Sequence, residues 1–418
     1  ATAFFARLGI ARLTSIPAFL EALKLLHVLG PLTGFAISSM SCSGGEASVM
    51  ADAVEGRRVK YRALTSDQAR AVKATLGPLV SVANPLDYHT FIWANEPAMT
   101  ATFSAMAAAG FDLNLLVLDF PRGDRCSDAE WMPTLRAFEA ALKSNAAKGA
   151  IVASLPENLS EAQAENLIAR GIVPLAGIDD ALAAAEAAAV VGEAWRREAP
   201  APAALAPTTT PKTRNSLDEA AVKQRLNDAG APLPPGRRVA DAAAAAAAAT
   251  EIGFPVVLKA LGLAHKTEAR ALRLNLATPE GLYVEKMIAA PLAELLVGIT
   301  RDPPFGLVLT LGSGGEQVEI LRDTVTLLLP STRGEIESAL DSLKCAPLLR
   351  GYRGRPPGDR SATVNAIEAI QRFALSNKNS LVELEINPLI VCAEGQGAFA
   401  ADALMITCLA DKKETADA

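Results

Sequence analysis

FAISSMSCSGGEASVMADAV, residues 35–54, decides how the first half of the chain is read. Phe35 to Cys42 is apolar over the length of a strand. Ser43-Gly44-Gly45 is a tight turn, and the residues after it have helical character. Strand, glycine turn and helix open an α/β unit. Working outward, residues 115–120 (LLVLDF) and 150–155 (AIVASL) are continuous apolar runs, as strands buried on both faces require. A helix-like stretch, 128–148, lies between them. Residues 172–176 add a short strand, and an Ala-rich helix runs on to about Trp195. Upstream, residues 15–28 carry apolar side chains at helical spacing. Together these predict a parallel sheet covered by helices.

Residues 196–214 change character: Pro, Ala and Thr dominate without apolar periodicity, which predicts an exposed linker. Beyond it, residues 216–229 read as an amphipathic helix opened by a Ser216/Glu219 capping pattern. Residues 241–251 are almost all Ala, predicting a closely packed helix. Strand signals then crowd together at 255–259, 272–276, 282–286, 294–299, 307–311, 319–321, 326–329, 381–386 and 403–406. Many strands broken by few helices predict an α+β domain with an antiparallel sheet.

The 418 residues are 50% hydrophobic and 21% charged, which predicts folded domains rather than disorder. Forty Lys and Arg against 46 Asp and Glu give a net charge of −6, a balance that argues against a nucleic-acid protein. No apolar run reaches the ~18 residues of a membrane span. No basic leader opens the chain, so a cytoplasmic protein is expected. Five scattered cysteines without a CxxC pair fit reduced thiols, and three histidines leave little room for a His-rich metal centre.

Several residues could carry chemistry. Backbone N–H groups of the Ser43-Gly44-Gly45 turn, at a helix start, suit a phosphate, although a plain strand–helix turn has the same signature. Asn84-Pro85-Leu86-Asp87 is a turn or part of a site. Lys259 ends a strand and could hold nucleotide phosphates as a point charge, or simply reach solvent. His265 could carry a phosphoryl group as phosphohistidine, or be solvated. Gly314 and Gly315, within Gly312-Ser313-Gly314-Gly315, offer a second phosphate turn. Glu383, Glu385 and Asn387 share one face of a strand, and Asp402 stands on a neighbouring one. Such oxygens suit Mg²⁺ completed by phosphate and water.

FPVVLKAL, AHKTEA, LYVEKMI, AELLVGITRDPPFG, TLGSGGEQVEILRD, LLRGYRGRPPGDR and VELEINPLIV occur in that order between residues 254 and 391. With SMSCSGGEASVMADA and ANPLDYHT in the first half, they resemble the ADP-forming (NDP-forming) acyl-CoA synthetases, relatives of succinyl-CoA synthetase. The resemblance implies a flavodoxin-like parallel-sheet ligase region followed by an α+β ATP-grasp domain. It divides the chain into a helical tail of a preceding domain (1–29), the ligase-like region (30–195), a linker (196–214) and the ATP-grasp domain (215–410).

The implied activity makes an acyl-CoA from a carboxylic acid, coenzyme A and ATP, through phosphohistidine and acyl phosphate. ATP/ADP, Mg²⁺ and coenzyme A are the implied small molecules, and the acid is short-chain or aryl, such as a hydroxycinnamate. By resemblance Lys259 holds ATP phosphates, Glu285 and its backbone neighbours face the adenine, and Glu294 reaches the ribose. Asn387 and Asp402 bind Mg²⁺, and His265 takes part in phosphate relay. Gly314 and Gly315 meet the carried phosphate; Ser43, Gly44 and Gly45 lie near the phosphohistidine in the ligase region.

Three departures stand out. The family's CoA-binding domain and its Ser-His-Thr-Gly phosphohistidine segment are not among these residues, so a partner subunit carrying them, or a homodimer of a longer chain, is expected. Only residues 277–282 separate Leu276 from Tyr283, where the family has a helix and strand. Arg270 stands where the family has Gly. A nucleotide-binding regulatory module of the same fold, without full turnover, is the alternative.

Overall fold

The computed structural model describes residues 1–205, 214–261, 281–315 and 322–408. It forms two compact units, Ala1–Ala199 and Pro200–Ala418.

In the first unit, helices α1 (Thr2–Leu8) and α2 (Ile16–Leu29) precede β1 (Ala36–Ser41) and α3 (Gly44–Ala53). There follow β2 (Lys60–Tyr61), α4 (Ser66–Lys73), β3 (Leu86–Asp87), α5 (Glu96–Ala107) and β4 (Leu113–Val117). The unit closes with α6 (Met132–Ser144), β5 (Gly149–Ala153), α7 (Glu161–Ala169), β6 (Val173–Ala176) and α8 (Ile178–Arg196). The strands pair in parallel in the order β2-β1-β4-β5-β6, with β3 added to the end of β1. Setting β3 aside, this is the flavodoxin-like order.

Alternation along β4 explains the two-sided burial. Leu113, Leu115 and Val117 pack with α2 and α8, whereas Leu116 packs with α5 and α6. Helix α2 contributes Ala22 and Leu25 to the same core as Ile37 of β1. Its start is fixed by Ser15, whose Oγ accepts from Ala18 N at 3.1 Å. The Ala-rich sequence of α8 permits close approach. At Gly192 a Cβ would stand 1.8 Å from the Leu32 carbonyl oxygen, so no larger residue fits there.

The second unit continues with β7 (Arg214–Leu217), α9 (Glu219–Asp228), β8 (Gly236–Val239), α10 (Ala242–Ile252), β9 (Val256–Ala260) and β10 (Leu282–Lys286). Next come β11 (Ala293–Asp302), β12 (Gly306–Ser313), β13 (Thr324–Leu328), β14 (Leu381–Val391), β15 (Ala398–Ala400) and β16 (Ala403–Cys408). A three-stranded antiparallel sheet, β8-β10-β9, carries α10 on one face through Val239, Val284, Ala245 and Ala248. A larger antiparallel sheet runs β13-β12-β11-β14-β16-β7, with β15 on β14. The long helix Arg360–Ser376 covers it, burying Ile367, Ile370 and Ala374 against Val297, Leu309 and Leu384.

One expectation shifts. Residues 214–217 form a strand paired with β16, Ser216 lying opposite Ile406. The helix cap is Asp218, whose carboxylate accepts from Ala221 N at 2.9 Å. Ser216/Glu219 therefore imitated a capping box, and the register with a strand nearly two hundred residues away overrode it. The strand signals at 272–276 and 319–321 lie outside the described residues. No helix among the described residues is long and apolar enough to cross a membrane.

Candidate functional site

In α9, Glu219 and Lys223 stand one turn apart and share a face. In β10, Tyr283 and Glu285 point away from α10, because Val284 points toward it. Lys259 of β9 is the register partner of Tyr283 and shares its face. These rules bring two ammonium groups and two carboxylates together. Lys223 Nζ lies 3.0 Å from Glu219 and is also bound to Glu285. Lys259 Nζ lies 2.9 Å from Glu219 and 2.7 Å from Glu285. The side chains of Lys223, Glu219 and Glu285 are 1–3% exposed, and only Lys259, at 13%, reaches the surface. Charges this deep persist only when paired. Burial, ahead of repulsion from Lys259, pulls the Lys223 ammonium down to about 8. Its ammonium also sits 4.9 Å from the centre of the Tyr283 ring.

Both lysines also donate to the carbonyl of Ala401, Lys223 at 2.7 Å and Lys259 at 2.5 Å. Ala401 leads into β16 through Asp402, whose carboxylate accepts from Ala403 N at 2.9 Å. Ala403 pairs with Ile386, so Asp402 and Asn387 extend the same register side by side. Asn387 Oδ1 accepts from Gly315 N at 3.0 Å, and Gly314 N donates to the Glu294 carbonyl at 2.7 Å. Gly315 has φ of +76°, and a Cβ there would stand 2.4 Å from Glu294 Oε2. Lys259, Glu285, Asp402, Asn387, Gly314, Gly315 and Glu294 thus lie along one path of contacts, although they were read from six separate stretches of sequence. Asn387, in β14, and Asp402, just before β16, present hard oxygens side by side, a donor chemistry that fits Mg²⁺ completed by phosphate and water. Glu383 and Glu385 are half-buried, alternating with core residues Leu384 and Ile386. Among the described residues no group of three His, Cys, Asp or Glu side chains could hold a metal ion on its own. His265 lies outside the described residues.

Sequence reading missed Lys223, and it took Glu219 for a cap. The available signal was a Glu-x-x-x-Lys pair next to Val222 and Leu226, both fully buried. A cavity of about 560 Å³ opens between α9 and β8, with Lys223, Asn227, Arg238 and Tyr283 in its wall.

In the first unit, Ser43 precedes α3 and Gly44 and Gly45 form its first turn. They sit at the carboxyl ends of the parallel strands, where ligands of such sheets bind. The surroundings are acidic. A Cβ on Gly44 would lie 3.2 Å from Asp87 Oδ2. Burial first, then Asp119 and Asp87, raises the Glu46 carboxyl to about 7. Burial first, then the Glu46 and Asp87 carboxylates, push the Cys42 thiol up. Glu46 Oε2 and the Tyr88 hydroxyl are buried without a hydrogen-bond partner among the described residues. Asn84 instead serves the scaffold: its side chain accepts from Ser39 N at 3.1 Å and donates to the carbonyls of Ile37 and Arg62. Asp87 accepts from His89 N at 2.9 Å.

The ATP-grasp domain family matches residues 208–282 and 277–407. A trans-feruloyl-CoA synthase from an unknown prokaryotic organism is 35% identical over 215 residues, covering 46% of this chain and 30% of that protein. The beta subunit of ADP-forming acetate–CoA ligase I from Pyrococcus furiosus is 30% identical over 216 residues, covering 46% of this chain and 91% of the subunit. Among solved structures, the dinucleotide-forming acetyl-coenzyme A synthetase 1 of Ca. Korarchaeum cryptofilum, in complex with coenzyme A, Ca-AMPCP and HgCl⁺, is 28% identical with a TM-score of 0.41, covering 46% of this chain and 93% of that one. The second unit is an ATP-grasp domain. The chain belongs to the ADP-forming acyl-CoA synthetase family, whose curated members here are acid–CoA ligases.

Proposed function

We propose that the chain supplies the nucleotide-using part of an ADP-forming acyl-CoA synthetase. The γ-phosphoryl group of ATP passes to a histidine nitrogen, releasing ADP. A carboxylate oxygen of the acid then attacks that phosphorus, freeing the imidazole and giving an acyl phosphate. The thiol sulfur of coenzyme A attacks the acyl carbon, and inorganic phosphate leaves. Phosphoryl transfer of this kind needs positioning, cations and N–H donors more than a strong base.

The observation that carries this reading is the convergence of Lys259, Asp402, Asn387 and Gly315 in one unit. Lys259, the outermost ammonium of its cluster, meets the phosphates. Asn387 and Asp402 hold Mg²⁺, which when bound neutralises phosphate charge. Gly314 and Gly315 offer N–H groups to the moving phosphate, Glu294 takes the ribose hydroxyls, and the backbone around Glu285 faces the adenine. The Glu285 carboxylate itself is engaged with the two lysines. His265 relays phosphate, and Ser43, Gly44 and Gly45 receive it in the ligase region.

The relatives include a beta subunit, which supports a partner subunit carrying the CoA-binding domain and principal phosphohistidine. The acid is a short-chain or aryl carboxylic acid, and the enzyme works in the cytoplasm. Incubation with γ-labelled ATP and Mg²⁺ tests the reading. Acid-labile, base-stable label that is lost in His265→Ala is expected. Tight ATP uptake without any label, in the presence of the CoA-binding partner, contradicts it and favours a nucleotide-sensing module.

A further inference from the structure

Lys259 has two carboxylates within 3 Å, Glu219 at 2.9 Å and Glu285 at 2.7 Å. By itself that arrangement would present an incoming triphosphate with one net negative charge. Lys223 alters the sum. It binds the same two carboxylates from behind, in a position 1% exposed, and the four groups together are neutral. It also shares the Ala401 carbonyl with Lys259, so both ammonium groups are aimed at one point. Asp402, across from Asn387, adds to the negative field that Lys223 feels. A lysine buried this completely is costly to desolvate, and replacing such an ionic cluster as a whole by apolar residues is often neutral or stabilising. A buried charge cluster at this position calls for a reason beyond packing.

We infer that Lys223 is a positioning residue for nucleotide binding: it neutralises Glu219 and Glu285 so that Lys259 offers its charge to phosphate rather than spending it on the two carboxylates. This deepens the ATP reading of Lys259 and rests on it. The role is electrostatic, so it depends on charge balance and not on the lysine itself. Removing Lys223 leaves the cluster one charge negative; removing Glu219 as well restores neutrality.

Calorimetric titration of the full chain with MgATP tests this, using wild type, Lys223→Met, Glu219→Gln and the double variant, with thermal melts as a check on folding. Lys223→Met is expected to bind at least tenfold more weakly. The double variant is expected to recover most of that loss, which a merely structural role would not allow. Glu219→Gln alone is expected to bind no more weakly than wild type, and it decides the matter if Lys223→Met does not fold. Wild-type affinity in Lys223→Met, a double variant as weak as Lys223→Met, or a tenfold loss in Glu219→Gln overturns the inference. Trace acetylation of the Lys259 amine at pH 8, read by mass spectrometry, needs no nucleotide. Slower labelling in Lys223→Met supports the positioning role even if wild type takes up no ATP, in which case only the ATP reading fails. Unchanged labelling overturns the role.

Discussion

The backbone N–H of Gly315 donates to the side-chain oxygen of Asn387 at 3.0 Å, tying the end of β12 to the middle of β14. The turn read as a phosphate loop and the residue read as a magnesium ligand are therefore mechanically one feature.

A side chain at Gly315 should disturb both. The residue sits at φ +76°, a region that costs an L-residue about 1–2 kcal/mol, and its Cβ would meet Glu294 Oε2 at 2.4 Å. The Glu294 carboxylate can swing aside, so the chain should still fold. Gly315→Ala is expected to lower the melting temperature by a few degrees and to weaken MgATP binding about tenfold. Unchanged affinity would separate this turn from the nucleotide.

Asn387 and Asp402 are expected to act together. Replacing both with Ala should raise the Mg²⁺ concentration needed for half-maximal nucleotide binding, with little effect on metal-free binding. An unchanged metal titration counts against their assignment.

The buried charges also predict stability. Glu285→Ala leaves the Lys223 ammonium with one carboxylate fewer at a position 1% exposed. Breaking a buried pair costs ~3 kcal/mol or more. Urea unfolding of the second unit should show that loss, and a change below ~1 kcal/mol would mean that water reaches the cluster.

Glu46 gives a pH signature in the first unit. Its carboxyl is raised to about 7 in the folded state from an ordinary 4.5. Between those values the folded chain holds the extra proton, so unfolding releases it. The stabilisation is fully present below pH 4.5 and is lost as pH rises through 7. Glu46→Gln, which stays neutral, should therefore melt higher than wild type at pH 8, and the advantage should shrink steadily as pH falls and vanish below pH 4.5. An equal difference at both ends of that range would contradict the raised carboxyl.

Local signals in the sequence were enough for the architecture. The 35–54 stretch reads as strand, turn and helix because its apolar run and its glycines are contiguous, and the structure has β1 and α3 there. Lys259, Asn387 and Gly315 were singled out because each stands inside a short motif, and the structure brings the three into one unit. What the sequence could not show is pairing across distance. Residues 214–217 look like a helix start until β16 supplies their hydrogen-bond partners. Lys223 looks like a solvated helix charge until β9 and β10 bring Lys259 and Glu285 against it. Glu285 was read, with its backbone neighbours, as facing the adenine, and its carboxylate instead bridges two lysines for the same reason.

Calorimetry of MgATP binding to the full chain, wild type against Lys259→Ala, tests the central claim most directly. Saturable heat at one site per chain in the wild type, lost in Lys259→Ala with an unchanged fold, is the predicted result. Equal binding by both proteins would contradict it.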